Sequence, residues 1–315
     1  MESTNNNYPI SYSTLWKLII RPNRDTYSPS SLIDPIFSFD DKTYFRKDYT
    51  LVNPKGLFLK CSLIEPEPEN RPSEKMPIII YLHGNSSSRL EGLSIAPYLL
   101  RKNINLFVFD FSGSGLSEGE YISLGYNEKE DLKVVMDFVC KLPGVSKIGL
   151  WGRSMGAATA LLYSPSDNRI SCLGIDSPFA EFKLLAQQLC SNYKGIPSFI
   201  VDFVFLFLKK SIKEKIGCDI EEINPIKGVK NIKIPGFFIH GIKDELIPVE
   251  HTVRIVGEYG GVKEINVVEG GHNSKRPRHV MRKLVNFFCR YLYEVSEGDL
   301  DTIDDDDDES KVSKI

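Results

Sequence analysis

Ser154 lies between Gly152 and Gly156 in the stretch KIGLWGRSMGAATAL, residues 147–161. An apolar run precedes it, and small helix-forming residues follow. A strand that ends in Gly-x-Ser-x-Gly and enters a helix at once must turn sharply. Such a turn strains the serine backbone and exposes its hydroxyl above the sheet. Only very small residues fit beside it, which Gly152 and Gly156 satisfy. The helix N-terminus aims backbone N–H groups and a partial positive charge at whatever binds there. The pattern predicts a nucleophile at Ser154. The competing reading is a glycine-rich turn with Ser154 as a helix cap.

A serine hydroxyl is a weak nucleophile at neutral pH and needs a base. Five histidines are available: 83, 240, 251, 272 and 279. His272, in VVEGGHNS, follows the last expected strand, and its paired glycines let a loop tip reach across the sheet. His83 and His240 each end a strand as His-Gly and read as structural. His251 and His279 open expected helices and read as solvent-exposed. The acid should follow a strand lying between serine and base. FFIHGIKDELIP offers Asp244, whose role would be to hold the imidazole tautomer and stabilise the imidazolium. Asp176 in GIDSPF is its rival, and Glu245 a weaker one. A developing oxyanion needs two backbone donors. The N–H of Met155 supplies one. The loop YLHGNSSS supplies the other, from Asn85 first and Ser86 second.

These residues must be carried by strands and helices, and the chain has them in alternation. TYFRKDYTLVN (43–53) and LFLKCSLIEP (57–66) flank Pro54-Lys55-Gly56 and read as a hairpin. Buried strands follow at 78–84, 104–110, 146–152, 169–176, 234–241 and 264–270. Helical patterns occupy 89–103, 124–142, the stretch from Ser154, and 279–294. Apolar strands separated by helices imply a mostly parallel sheet covered on both faces. Ligands on such sheets bind at the carboxyl ends of the strands, where the loops above fall. Residues 1–42 read as a polar arm with one short helix near SYSTLWKLII, and 43–294 as the folded domain. Residues 295–315 read as an acidic, disordered and solubilising tail.

The chain has 315 residues, 42% hydrophobic and 26% charged, with a formal net charge of −3. Residues 297–315 contribute −7, so the rest is only slightly basic, at +4. Nothing in this balance calls for nucleic acid. Six cysteines lack CxxC spacing and metal-ligand histidine neighbours, and read as buried, reduced thiols. Neither a metal nor a cofactor is expected. The cysteines suggest a cytoplasmic setting. The N-terminus lacks a signal pattern and a glycine at position 2. DFSGSGLSEGEY is glycine-rich but contains neither GxGxxG nor GxxxxGK[ST], which argues against a nucleotide loop.

HGN at 83–85, DFSGSGLSEG at 110–119, GRSMGA at 152–157, HGIKDELIP at 240–248 and GGHN at 271–274 together resemble the α/β-hydrolase superfamily, in order, over residues 43–294. The set is similar to the serine-aminopeptidase-like and monoacylglycerol-lipase-like group. Its HGN and GxGxS segments are also similar to the depalmitoylases of α/β-hydrolase-domain protein 17 type. The resemblance implies an α/β fold with a mostly parallel eight-stranded sheet and a small helical lid over about 177–233. It implies a Ser154–Asp244–His272 triad, with Asn85 and Met155 as oxyanion donors.

The lid segment contains IPSFIVDFVFLFLKK (196–210), apolar on nearly every face. One reading is a buried helix. The other is an acyl channel or membrane-contacting lid that uses Phe203 and Phe207. Lys209, Lys210, Lys213 and Lys215 would then meet acidic headgroups or simply solvent. The expected activity is a serine hydrolase that forms an acyl-enzyme. Its substrate would be a small-molecule acyl ester or thioester, or an acylated protein, with peripheral membrane contact through the lid. The alternatives are a peptidase or amidase of the serine aminopeptidase type, and a non-catalytic ligand receptor or scaffold on the same fold. Oligomeric state is not legible.

Overall fold

The computed structural model describes residues 15–191 and 198–295. All but the first residue of the acidic tail falls outside that range. Nine strands form one sheet: β1 Ile36–Phe39, β2 Lys42–Val52, β3 Phe58–Pro66, β4 Met76–Leu82, β5 Asn105–Phe109, β6 Val145–Arg153, β7 Ile170–Asp176, β8 Gly236–Gly241 and β9 Lys263–Val268. Their spatial order is β1-β2-β3-β5-β4-β6-β7-β8-β9. The first three run antiparallel, with β3 also antiparallel to β5, and the six strands β4 to β9 are mutually parallel.

Eight of these strands match the expected runs. The ninth, β1, lies in the segment read as an arm. Phe39 pairs with Lys42 across Asp40-Asp41, both of which have positive φ (47° and 58°). That is a two-residue hairpin turn of the kind normally built from Asn-Gly or Asp-Gly. Two aspartates disguised it.

Alternation along the strands feeds two cores. Ile78, Ile80, Leu82, Phe107, Phe109, Leu150, Leu173 and Phe238 face one side. Ile79, Tyr81, Leu106, Val108, Trp151, Cys172, Phe237 and Ile239 face the other. The first face is covered by α1 Leu15–Ile20, α4 Glu128–Val139, α5 Met155–Tyr163 and α8 Glu250–Glu258. The second is covered by α2 Arg89–Leu93, α3 Ala96–Leu100 and α9 Arg278–Tyr293. The single helix expected over 89–103 is thus two short ones. Pro97 has no N–H to continue the ladder across Ser94-Ile95, so a new helix starts there.

Between β7 and β8 lie α6 Phe182–Ser191, α7 Ser198–Ile216 and three short 3-10 turns. Leu208 and Ile212 of α7 are buried, whereas Leu206 and Phe207 are exposed, Phe207 by 51%. The described part of this helix is therefore not buried on every face. The side chain of Phe203 lies outside the described residues. Lys209 is paired with Asp219 and Glu221 at 3.1 Å each, and Lys215 sits 4.1 Å above the Trp16 ring. These two lysines are therefore engaged within the chain. Cys140 is exposed, against the expectation of burial, while Cys61, Cys172, Cys218 and Cys289 are buried. Among the described residues, no helix is long and apolar enough to cross a membrane.

Candidate active site

The carboxyl ends of the central strands are level. Leu82 of β4 pairs with Gly152 of β6, Arg153 with Asp176 of β7, and Asp176 with Ile239 of β8. The loops that follow these strands therefore open on the same edge. Ser154 follows β6 immediately, with φ 54° and ψ −116°, a conformation that L residues rarely adopt. It is held by its N–H, which donates to Asp176 O at 2.8 Å, and by its own carbonyl, which accepts from Ala158 N at 3.0 Å. The turn tolerates only hydrogen at its flanks. A Cβ on Gly152 would stand 2.4 Å from Gly156 O, and one on Gly156 would stand 2.0 Å from Leu82 O.

The Gly156 contact also presses the start of α5 against the end of β4. The loop beginning at His83 therefore starts beside Met155. Met155 is the first residue of α5, where amides have no helical acceptor. His83 ties the loop down: its Nδ1 lies 2.8 Å from Gly84 O, and its Nε2 accepts from Phe111 N at 3.1 Å. It shapes the loop, as its sequence position suggested. Asn85 is half-buried, and its Oδ1 has no hydrogen-bond partner among the described residues. Ser86 is exposed, with φ 56°.

His272 brings its Nε2 to 3.0 Å from Ser154 Oγ and its Nδ1 to 2.7 Å from Asp244 Oδ2. Because a carboxylate only accepts, Nδ1 carries the proton and Nε2 is free to accept from the serine. Asp244 Oδ1 accepts from Leu246 N at 3.0 Å and Ile247 N at 2.8 Å. Burial pushes the Asp244 carboxyl up. Hydrogen bonds from His240, His272 and Ile247 N–H outweigh it, leaving the group well below the usual carboxylate range. Glu245 is exposed and points the chain's charge to solvent. Asp176, the other candidate, is gripped instead by Arg276, with three contacts of 2.8–3.1 Å.

The remaining histidines divide. His279 is exposed, as expected. His251 is not: it is 1% exposed, accepts from Ala180 N at 3.0 Å on Nδ1, and lies 2.7 Å from Gln188 Oε1 through Nε2. It ties α8 to α6 and to the residues just before it. Its place at a helix start hid a neighbour that arrives from 63 residues away. Two arginines that sequence reasoning did not single out also border the site. Arg153 is the residue before Ser154, and Arg276 lies four after His272. Among the described residues, no group of three or more histidine, cysteine or carboxylate side chains is placed to hold a metal ion.

A parallel sheet with a strained serine at a strand-to-helix turn, followed by an acid loop and a histidine loop, defines the α/β-hydrolase class of architecture. The chain belongs to the α/β-hydrolase superfamily. A family model described as alpha/beta hydrolase fold matches residues 77–206. The uncharacterized protein YqkD of Bacillus subtilis is 33% identical over 238 residues, 72% of this chain and 75% of that protein. Protein bem46 of Schizosaccharomyces pombe is 29% identical over 195 residues, 61% of this chain and 59% of that protein. The lysophosphatidylserine lipase ABHD12 of Danio rerio is 25% identical over 198 residues, 60% of this chain, and the chain spans about half (49%) of its length. Among solved structures, the Pyrococcus furiosus esterase Pf2001 superposes with a TM-score of 0.64 at 24% identity, covering 86% of this chain and 98% of that one.

Proposed function

We propose that the protein is a serine hydrolase that cleaves carboxylic esters or thioesters of apolar acids through an acyl-enzyme. One observation carries this reading: the unbroken line from Asp244 through His272 to Ser154 Oγ, at 2.7 and 3.0 Å, on a strained turn. In this reading His272 Nε2 takes the hydroxyl proton as Ser154 Oγ attacks the carbonyl carbon. The N–H groups of Met155 and Asn85 hold the oxyanion. The imidazolium then protonates the leaving group, and water, activated by His272, releases the acid. Asp244 stays ionised throughout. The names of similar proteins, an esterase and a lysophosphatidylserine lipase, support an ester of a lipid-like acid over a peptide. The exposed Leu206 and Phe207 on the lid helix fit an apolar acyl chain, or a lipid surface from which one is drawn.

The test is labelling by a fluorophosphonate probe of wild type and Ser154→Ala, followed by turnover over a series of acyl lengths. Labelling that depends on Ser154 is the expected result. A folded wild type that does not label would support the receptor or scaffold reading instead. Turnover of aminoacyl amides above esters would favour the peptidase reading.

A further inference from the structure

We propose that Arg276 and Arg153 are positioning residues that set the distance between His272 and Ser154, each acting as a strut to the His272 loop, from the buried Asp176 and the half-buried Glu91 respectively; this rests on the serine-hydrolase reading above.

The loop over 269–277 has no regular structure. Its internal bonds, Gly271 N to Ser274 Oγ at 2.9 Å and Ser274 N to Gly271 O at 3.3 Å, fix its shape but not its place. Backbone bonds tie its root to the acid loop: Ile242 N donates to Val268 O at 2.8 Å and Lys243 N to Gly270 O at 3.0 Å. These hold His272 relative to Asp244. None of them reaches Ser154.

The arginines make that link from both sides. Asp176 O accepts the Ser154 N–H, while the Asp176 carboxylate accepts from Arg276 Nε and Nη2. Arg276 Nη1 then donates to Gly271 O at 3.1 Å. Arg276 Nη2 also donates to Ser177 Oγ at 2.8 Å. On the other side, Arg153 adjoins Ser154 in the chain. Its Nε donates to Glu91 Oε1 at 2.7 Å, and its Nη1 to His272 O at 3.4 Å and Asn273 Oδ1 at 3.2 Å. Tyr81 Oη donates to the same Glu91 oxygen at 2.7 Å, which fixes the carboxylate from below. The Arg276 and Asp176 side chains are 6% and 7% exposed. A planar guanidinium can grip a carboxylate with one edge and a carbonyl with another, which an ammonium cannot. Each strut thus starts at the nucleophile's own backbone and ends within one residue of His272.

The two links to His272 are therefore separable, and the experiment reads them separately. The first readout is the rate at which the fluorophosphonate probe phosphonylates Ser154 Oγ, with fluoride as the leaving group. The second is the downfield Nδ1 proton resonance of His272, which reports its bond to Asp244. For Arg276→Gln, phosphonylation should slow by about 100-fold, the scale of a misplacement near 1 Å. The resonance should persist. Arg153→Gln should lose less, since its bonds to the loop are longer. Arg276→Lys should recover only part of the rate. Because Arg276→Gln leaves the buried Asp176 carboxylate without its charge partner, Asp176→Asn/Arg276→Gln serves as the second variant and should show the same split. Phosphonylation within twofold of wild type in both would overturn the proposal. Loss of the resonance together with the rate would also overturn it, as a general loosening of structure. A wild type that does not label removes the underlying reading before any variant is compared, and the proposal with it.

Discussion

Asp244 stands between two histidines. Its Oδ2 is 2.7 Å from Nδ1 of His272 and 3.4 Å from Nε2 of His240. His240 is itself pinned, with Nε2 2.8 Å from Ile247 O and Nδ1 2.6 Å from Thr252 Oγ1. The carbonyl can only accept, so His240 donates through Nε2, and its N–H leans toward the carboxylate. The acid is thus surrounded by donors: two backbone amides and two imidazoles. It has no reason to take up a proton at neutral pH. It is also fixed in direction, so that one oxygen is left for His272.

Replacing Asp244 with Asn should keep the shape and reverse the chemistry. An amide can offer an N–H where the carboxylate accepted, which favours the tautomer with the proton on Nε2. The base is then blocked. Ester turnover should fall by about 10⁴-fold, with thermal stability reduced but folding retained. Steady-state hydrolysis of a nitrophenyl ester, alongside a melting curve, checks this. A loss of less than tenfold would remove Asp244 from the mechanism.

Gly156→Ala should be among the most damaging single-atom additions in the chain. Its Cβ would sit 2.0 Å from Leu82 O and 2.8 Å from His83 O. Backbone cannot yield as a side-chain tip would, so α5 must move away from β4. We expect a cost of about 3 kcal/mol or more, measured by urea unfolding. Acylation of Ser154 should slow as well, since the same contact places the loop at Asn85 beside Met155.

His251 makes a pH prediction. Burial, ahead of the nearby Arg254 and His240 charges, lowers it from its ordinary value to about 4. The unfolded chain therefore takes up a proton that the folded one refuses between about pH 6.5 and 4. Its contribution to stability is intact above pH 6.5 and is lost as pH falls toward 4. His251→Gln should flatten this part of the stability curve, measured as melting temperature against pH. A slope unchanged in the variant would assign the acid sensitivity elsewhere.

On the lid, Phe207→Ser, alone and with Phe203→Ser, should discriminate by chain length. The second-order rate constant kcat/KM for a dodecanoyl ester should fall by roughly 10-fold, while that for an acetyl ester changes little. Equal losses on both would show that the lid aromatics serve folding and not acyl recognition.

Much of the site was legible because its signals are local. Gly152, Ser154 and Gly156 fall within five residues of sequence, and the steric demand on Gly152 comes from Gly156 O, four residues on. His272 was marked by Gly270-Gly271 and by its place after the last strand. The readings that needed correction depended on distant partners. His251 was read as exposed because nothing nearby in the chain announces Ala180 and Gln188. Residues 89–103 carry a helical period, yet Pro97 divides them. The β1 hairpin turn used two aspartates where glycine is the usual signal.

The sequence by itself determined the order of eight of the nine strands, the sharp Gly-x-Ser-x-Gly turn at Ser154, and the histidine that follows the final strand. These rest on side-chain period and on steric demands between close neighbours, which a linear reading carries. Tertiary structure decided which carboxylate faces His272. Asp176 ends β7 and Asp244 lies three residues beyond the end of β8; the sequence favoured Asp244 and left Asp176 as its rival. Arg276, 100 residues from Asp176, claims the first through two edges of its guanidinium. The loop amides of Leu246 and Ile247 turn the second toward the imidazole. Such choices depend on the register of parallel strands and on which long side chain reaches which buried charge. Neither is set until the sheet has closed.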